Sequence, residues 1–274
     1  MSIAKSLLVT TFTNYVKDFQ TKINTIKSEI ASGKNTLTAN QQNTVATLSE
    51  KVKTYSTPQA SITTAKNTIS VAQTAITSIQ KLMSQMQQIA TQATNPRLSS
   101  FDSVNMNYRF QQLVTEVGKL ATSASLNGTN LLSGSAGMNV ITGTDKTAAS
   151  RSFVNSVDIY GMMTTGLLSN IKLDSPSNAQ SAMWALNSAL AQITSGQASL
   201  KATTNRLTVQ ETKLSDLSKT TQKSIDTLQK VDITKLNAQL TQLQSQQNIS
   251  YQVISQLDST AYKNLKILAL TSSS

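Results

Sequence analysis

Cysteine and histidine are both absent from this 274-residue sequence. Without cysteine no disulfide can form, and the redox compartment cannot be read. Without histidine, the commonest general base and the HExxH type of zinc site are excluded. Only three prolines and nine glycines occur, and aromatic residues are 4% of the chain. So few breakers, with Thr, Ser, Gln and Asn on the polar faces, suit long uninterrupted helices better than a sheet-rich fold. Long hydrophobic runs are missing too. No stretch approaches the ~20 apolar residues of a membrane span, and the opening MSIAKSLLVTTFTNY holds too short an apolar segment for a cleaved leader. The reading is all-α, with 38% hydrophobic residues enough for a thin core.

Acidic residues are also few, 13 against 24 basic ones, for a formal charge of +11. In residues 1–100, ten Lys or Arg stand against Asp18, Glu29 and Glu50, a net +7, but they stand singly. Dispersed charge of this kind reads as a solvated face rather than a nucleic-acid platform, which would cluster Arg with aromatics. The acids from Asp145 to Asp258 are scattered, and no phosphate-binding glycine loop occurs. Nothing converges into a catalytic or metal-binding constellation, so neither an enzyme nor a cofactor is expected.

What the sequence does have is helical periodicity. Ile62, Ala65, Ile69, Ala72, Ile76, Ile79, Met83, Met86, Ala90 and Ala93 alternate steps of three and four, a single narrow seam on one long helix spanning 62–95. Val9, Phe12, Val16, Phe19, Ile23, Ile26 and Ile30 share that period, ahead of a stop at Gly33. Residues 34–45 lack a period and read as a connector, and a short helix at 46–55 precedes Pro58. After Pro96 a returning helix carries Met106, Phe110, Leu113, Val117, Leu120 and Ala124, and Asn127-Gly128 breaks it. Residues 129–175 alone have strand character, with strands expected at 138–142 and 151–159. A helix past Pro176 repeats the seam from Ala179 through Gln210, Leu217 and Ser224 to Leu228. The last helix places Ile233, Leu236, Leu240, Leu243, Ile254, Leu257, Ala261 and Leu268 in register, with Gln247 and Ser250 as polar interruptions. Gln247 and Asn264 on this seam have two readings, solvent exposure or a buried polar position that fixes register. The expected architecture is long antiparallel helices in a coiled-coil or helical-bundle rod with a small central β-hairpin insert. Its divisions are an N-terminal helix and connector (1–42), a rod domain (43–230, insert at about 129–175) and a C-terminal helix (231–274).

Four segments in this order resemble bacterial flagellin: IASGKNTLTANQQNT at 30–44, the helix at 79–95, SLNGTNLLSG at 125–134, and the tail DITKLNAQLTQLQSQQ from Asp232. The resemblance covers nearly the whole chain. It implies an extracellular subunit of the flagellar filament, exported by the flagellar type III apparatus with a chaperone, stacked on copies of itself in a helical filament, and meeting hook-associated and cap proteins. It also implies subunit packing through Val9, Phe12, Val16, Phe19, Ile23, Ile26, Ile30, Leu236, Leu240, Leu243, Ile254, Leu257 and Leu268, and through the flank holding Gln85, Gln87, Ile89 and Arg109.

That flank departs from the family pattern. Gln85 and Gln87 stand where Arg is frequent, Ile89 where Leu is usual, Arg109 about where an acid is common, and Gln41 and Gln42 on the family's paired Asp. Because those helix positions also serve toll-like receptor recognition in the family, weak receptor activation is expected. The alternatives are a hook-filament junction protein, which shares the terminal helices, and a cell-surface binder of anionic polysaccharide. Neither nucleic acid nor membrane insertion is expected.

Overall fold

The computed structural model describes residues 2–145 and 147–271, and the side chains among them except those of 2–5, 258 and 260–271. Lys146 and the side chains of Asp258, Ala261, Asn264 and Leu268 therefore lie outside the described residues. Among the described residues seven α-helices and four short strands follow in order: α1 (Ser2–Ser32), α2 (Ala39–Thr54), α3 (Ser56–Ala93), α4 (Ser100–Ser123), β1 (Ser125–Leu126), β2 (Thr129–Asn130), β3 (Met138–Ile141), β4 (Arg151–Val154), α5 (Ile159–Thr164), α6 (Pro176–Gln229) and α7 (Ile233–Thr271). The fold is mainly α, as the composition demands. Two compact units divide it: residues 1–49 with 221–274, and residues 50–220.

In the 50–220 unit, α3 is the spine. All ten of its seam residues, Ile62 to Ala93, are buried, because a strict three-four alternation keeps one stripe turned to the core over about nine turns. Pro58 lies in the first turn of α3 and opens it, since that turn needs no partner for the missing N–H. The break from α2 falls at Tyr55. Ser99 caps α4 by accepting from the Asp102 N–H at 3.1 Å, and α4 returns beside α3 with Phe110, Val117 and Ala121 buried. Across from α3, α6 runs antiparallel, as three polar pairs at successive heights show. Lys66 Nζ reaches Glu211 Oε2 at 2.7 Å, Gln80 Nε2 donates to Gln197 Oε1 at 3.3 Å, and Gln87 Nε2 donates to Asn187 Oδ1 at 2.6 Å.

The insert is held to these helices through its backbone. Asn127 and Gly128 take positive φ (50° and 77°) between β1 and β2, the turn that an Asn-Gly pair favours. β3 and β4 pair antiparallel from Met138↔Val154 to Ile141↔Arg151. On α4, three side chains one turn apart hold the loop before α6: Ser103 Oγ and Gln111 Nε2 donate to the Leu173 and Ile171 carbonyls, and Asn107 Oδ1 accepts from Leu173 N. Val157 sits over Gly196 of α6, where a Cβ would come within 2.5 Å of Val157 Cγ2. The glycine thus makes room for the insert.

Four sequence expectations need correction. Residues 39–45 belong to α2 rather than to a loop. Strand structure begins at Ser125, ahead of 129. The expected strand over 151–159 stops at Val154, and Asp158 instead caps helix α5, accepting from Gly161 N at 2.9 Å. On α6 the exposed residues include Gln210, Leu217 and Ser224, whereas Glu211 and Ser218 are half-buried and Ile225 is buried. Leu214 and Thr221 stay buried as expected, so only alternate seam positions move by one: two successive four-residue steps, Thr203 to Leu207 to Glu211, replace the expected four and three, the adjustment that a straight helix of 3.6 residues per turn requires of a 3.5-residue repeat.

Candidate assembly surfaces

Within the unit formed by residues 1–49 and 221–274, α1 and α7 pack on one another. They run antiparallel: Gln247 Nε2 donates to Gln20 Oε1 at 2.9 Å, and beyond the helix ends Lys34 bridges to Lys230, with Asn35 N bonded to the Gln229 carbonyl at 2.8 Å. Gly33, at φ 64°, ends α1 and lets the chain turn into that bridge. The inner stripe of α1 is the expected one. Ile23 and Ile26 are buried, and Val9, Phe12, Val16, Phe19 and Ile30 are half-buried. On α7, Leu236, Leu240, Leu243, Ile254 and Leu257 are all half-buried. Tyr15 lies between Phe12 and Phe19, edge-on to the first at 6.1 Å and stacked on the second at 6.5 Å. An open groove of about 420 Å³ runs between the two helices, floored by Ile26 and Leu243 and rimmed by Thr21, Lys22, Gln239 and Gln242.

The flank near the end of α3 is less uniform than the sequence suggests. Ile89 is buried in the chain's own core, and Gln87 is half-buried and bonded to Asn187, while Gln85 and Arg109 are exposed. Sequence reasoning passed over a second apolar stripe on α4. Phe101, Val104 and Tyr108 stand 75%, 68% and 64% exposed, at the i, i+3, i+7 spacing that puts them on one face. The signal was available, since this stripe is out of phase with Met106–Phe110, but the buried seam claims the period first. Trp184, the sole tryptophan, stands on α6 at 74% exposure. Large exposed apolar side chains in such alignment mark contact surfaces more often than scattered ones do.

Among the described residues no group of three or more acidic, histidine or cysteine side chains could hold a metal ion, and no helix is long and apolar enough to cross a membrane. Incompletely buried helical stripes and exposed apolar faces define a helical protein with surfaces left for further packing. Comparison with known proteins makes this specific. The profile of the bacterial flagellin N-terminal helical region matches residues 5–137, and that of the C-terminal helical region matches residues 183–268. The chain belongs to the bacterial flagellin family, a family of extracellular structural proteins of the flagellum and not of enzymes. It is similar to flagellin FlaB2 of Treponema pallidum, 30% identical over 131 residues, which are 43% of this chain and 46% of that protein. The matched stretch thus spans less than half of that relative's length. The crystal structure of Bacillus cereus flagellin shares the fold, with a TM-score of 0.50 at 22% identity, over 57% of this chain and 88% of that one.

Proposed function

We propose that the chain is a subunit of the bacterial flagellar filament that self-assembles through α1, α7 and its helical rod to give a motility filament. The single observation that carries this reading is the incomplete burial of the α1 and α7 stripes. Ten of their apolar residues, Val9, Phe12, Val16, Phe19, Ile30, Leu236, Leu240, Leu243, Ile254 and Leu257, are only half-buried when the two helices have packed on each other. Each leaves about 1 kcal/mol to be gained on full burial, so together they hold on the order of 10 kcal/mol. Association costs roughly 4–15 kcal/mol. One neighbour therefore gains little, but a copy in a helical array meets several, and addition at an existing end becomes favourable where a free dimer is not.

In this reading residues 1–42 and 231–274 form the inner helical layer and residues 43–230 a helical rod. The exposed stripe Phe101, Val104 and Tyr108, with Gln85 and Arg109, faces other copies. The flagellar export apparatus and its chaperone, and hook-associated and cap proteins, are the further partners. Deleting residues 1–33 or 233–274 tests the proposal. Each truncated chain should keep the helical circular dichroism of the 50–220 unit and fail to extend filament seeds in electron micrographs. Normal filaments from either one would refute it.

A further inference from the structure

α7 carries two polar residues in succession on its inner stripe. Between Leu243 and Ile254 the seam positions are Gln247, half-buried, and Ser250, 5% exposed. The Ser250 hydroxyl is satisfied within its own helix by the Gln246 carbonyl at 2.9 Å. Gln247 instead reaches across. Its amide donates to Gln20 Oε1 at 2.9 Å, and Gln20 Nε2 in turn donates to Asn24 Oδ1 at 3.0 Å. This relay is directional, because each Gln20 amide atom is used in one sense only. Since the helices are antiparallel, the α1 residues just ahead of Gln20 run alongside the α7 residues just past Gln247. The rest of both stripes is apolar at a regular repeat, and such a repeat by itself tolerates a shift of one heptad.

We infer that the Gln247–Gln20–Asn24 relay is a register lock, which gives up apolar burial at one seam position so that α1 and α7 pair in a single alignment. A one-heptad slip, about 10 Å along the axis, brings Gln20 opposite Leu240 or Ile254 and leaves the Gln247 amide without its acceptor. The inference rests on the assembly reading for its consequence: in a polymer every copy must present its terminal helices at the same height, and a slipped copy would break the repeat.

The absence of native cysteine lets disulfides report the register. Thr25 and Gln242 line the same groove, so Thr25→Cys with Gln242→Cys reports the native alignment. Thr25→Cys with Ile249→Cys, or with Lys235→Cys, reports a slip of seven residues in either direction. Oxidation is followed on the full-length chain, unassembled at high dilution and again in seeded filaments. The native pair should close in preference to both slipped pairs. Gln247→Leu, and separately Gln20→Ala, should raise the slipped fraction about two- to tenfold, the net worth of one hydrogen bond between side chains that water also reaches. A slipped fraction that neither substitution changes would overturn the lock. Failure to form filaments would count against the assembly reading instead, and the disulfide ratio of the unassembled chain would still decide the register.

Discussion

Replacing Gly196 with alanine should destabilise the 50–220 unit although it improves the helix. Within α6, Gly→Ala gains about 1 kcal/mol of helix propensity. Against this, the new methyl would lie 2.5 Å and 2.7 Å from the two γ carbons of Val157. Val157 is 7% exposed, and its N–H is bonded to the Leu131 carbonyl at 2.6 Å, so neither the branched side chain nor its backbone can easily retreat. Overpacking of this kind costs about 1–3 kcal/mol, leaving Gly196→Ala about 1 kcal/mol less stable than the parent. The sign should reverse once Val157 is trimmed. Val157→Ala loses about 1.5 kcal/mol of burial but removes both γ carbons, leaving only the Cβ contact at 3.2 Å. In that background Gly196→Ala should stabilise by about 1 kcal/mol, a coupling near 2 kcal/mol. Urea unfolding of the four proteins, followed by far-ultraviolet circular dichroism, measures the cycle. If Gly196→Ala stabilises the chain equally with and without Val157, the docking of the insert on α6 is wrong.

Other substitutions test other contacts. Phe110→Ala, which removes a fully buried ring of the α3–α4 interface, should cost about 3–5 kcal/mol in the same unfolding assay. Asp158 Oδ1 accepts from both Gly161 N and Gly134 N, so Asp158→Ala should cost about 1–2 kcal/mol and accelerate hydrogen exchange at those two amides above the rest of the insert. The Lys66–Glu211 pair is about one-third exposed on each side. Solvent screening should hold its double-mutant coupling to about 0.5–1 kcal/mol, smaller still in high salt.

How much of this could be read in advance depended on how densely the apolar residues mark a period. α3 has no break in its seam from Ile62 to Ala93, and that seam was legible although the helix starts at Ser56, six residues ahead of it; so were the stop at Gly33 and the turn at Asn127-Gly128, where backbone geometry demands a particular residue. α2 begins seven residues earlier than expected because ANQQNTV offers helix formers but hardly any apolar stripe. α5 was hidden because Val157 and Ile159 favour strands locally, while the Asp158 cap that starts the helix also depends on Gly134, distant in sequence. The extra four-residue step of the α6 seam from Leu207 to Glu211 is invisible to a template of fixed period. On the α3 flank, the sequence could place Gln85 and Gln87 near one another but could not foresee that Asn187, a hundred residues on, would take up Gln87. Gln247 shows the converse. It is half-buried and bonded to Gln20 across the helix pair, a partner that the α7 pattern alone could not name.

The central claim is that the intact chain builds a filament through its terminal helices, and electron microscopy of the purified full-length protein after addition of short filament seeds tests it most directly. The account predicts that seeds lengthen into regular helical filaments, with α1 and α7 lining the innermost density and Trp184 fluorescence shifting as its exposed ring is covered. Seeds that stay short at concentrations where the chain is folded, or filaments whose inner density lacks paired helices, would contradict it.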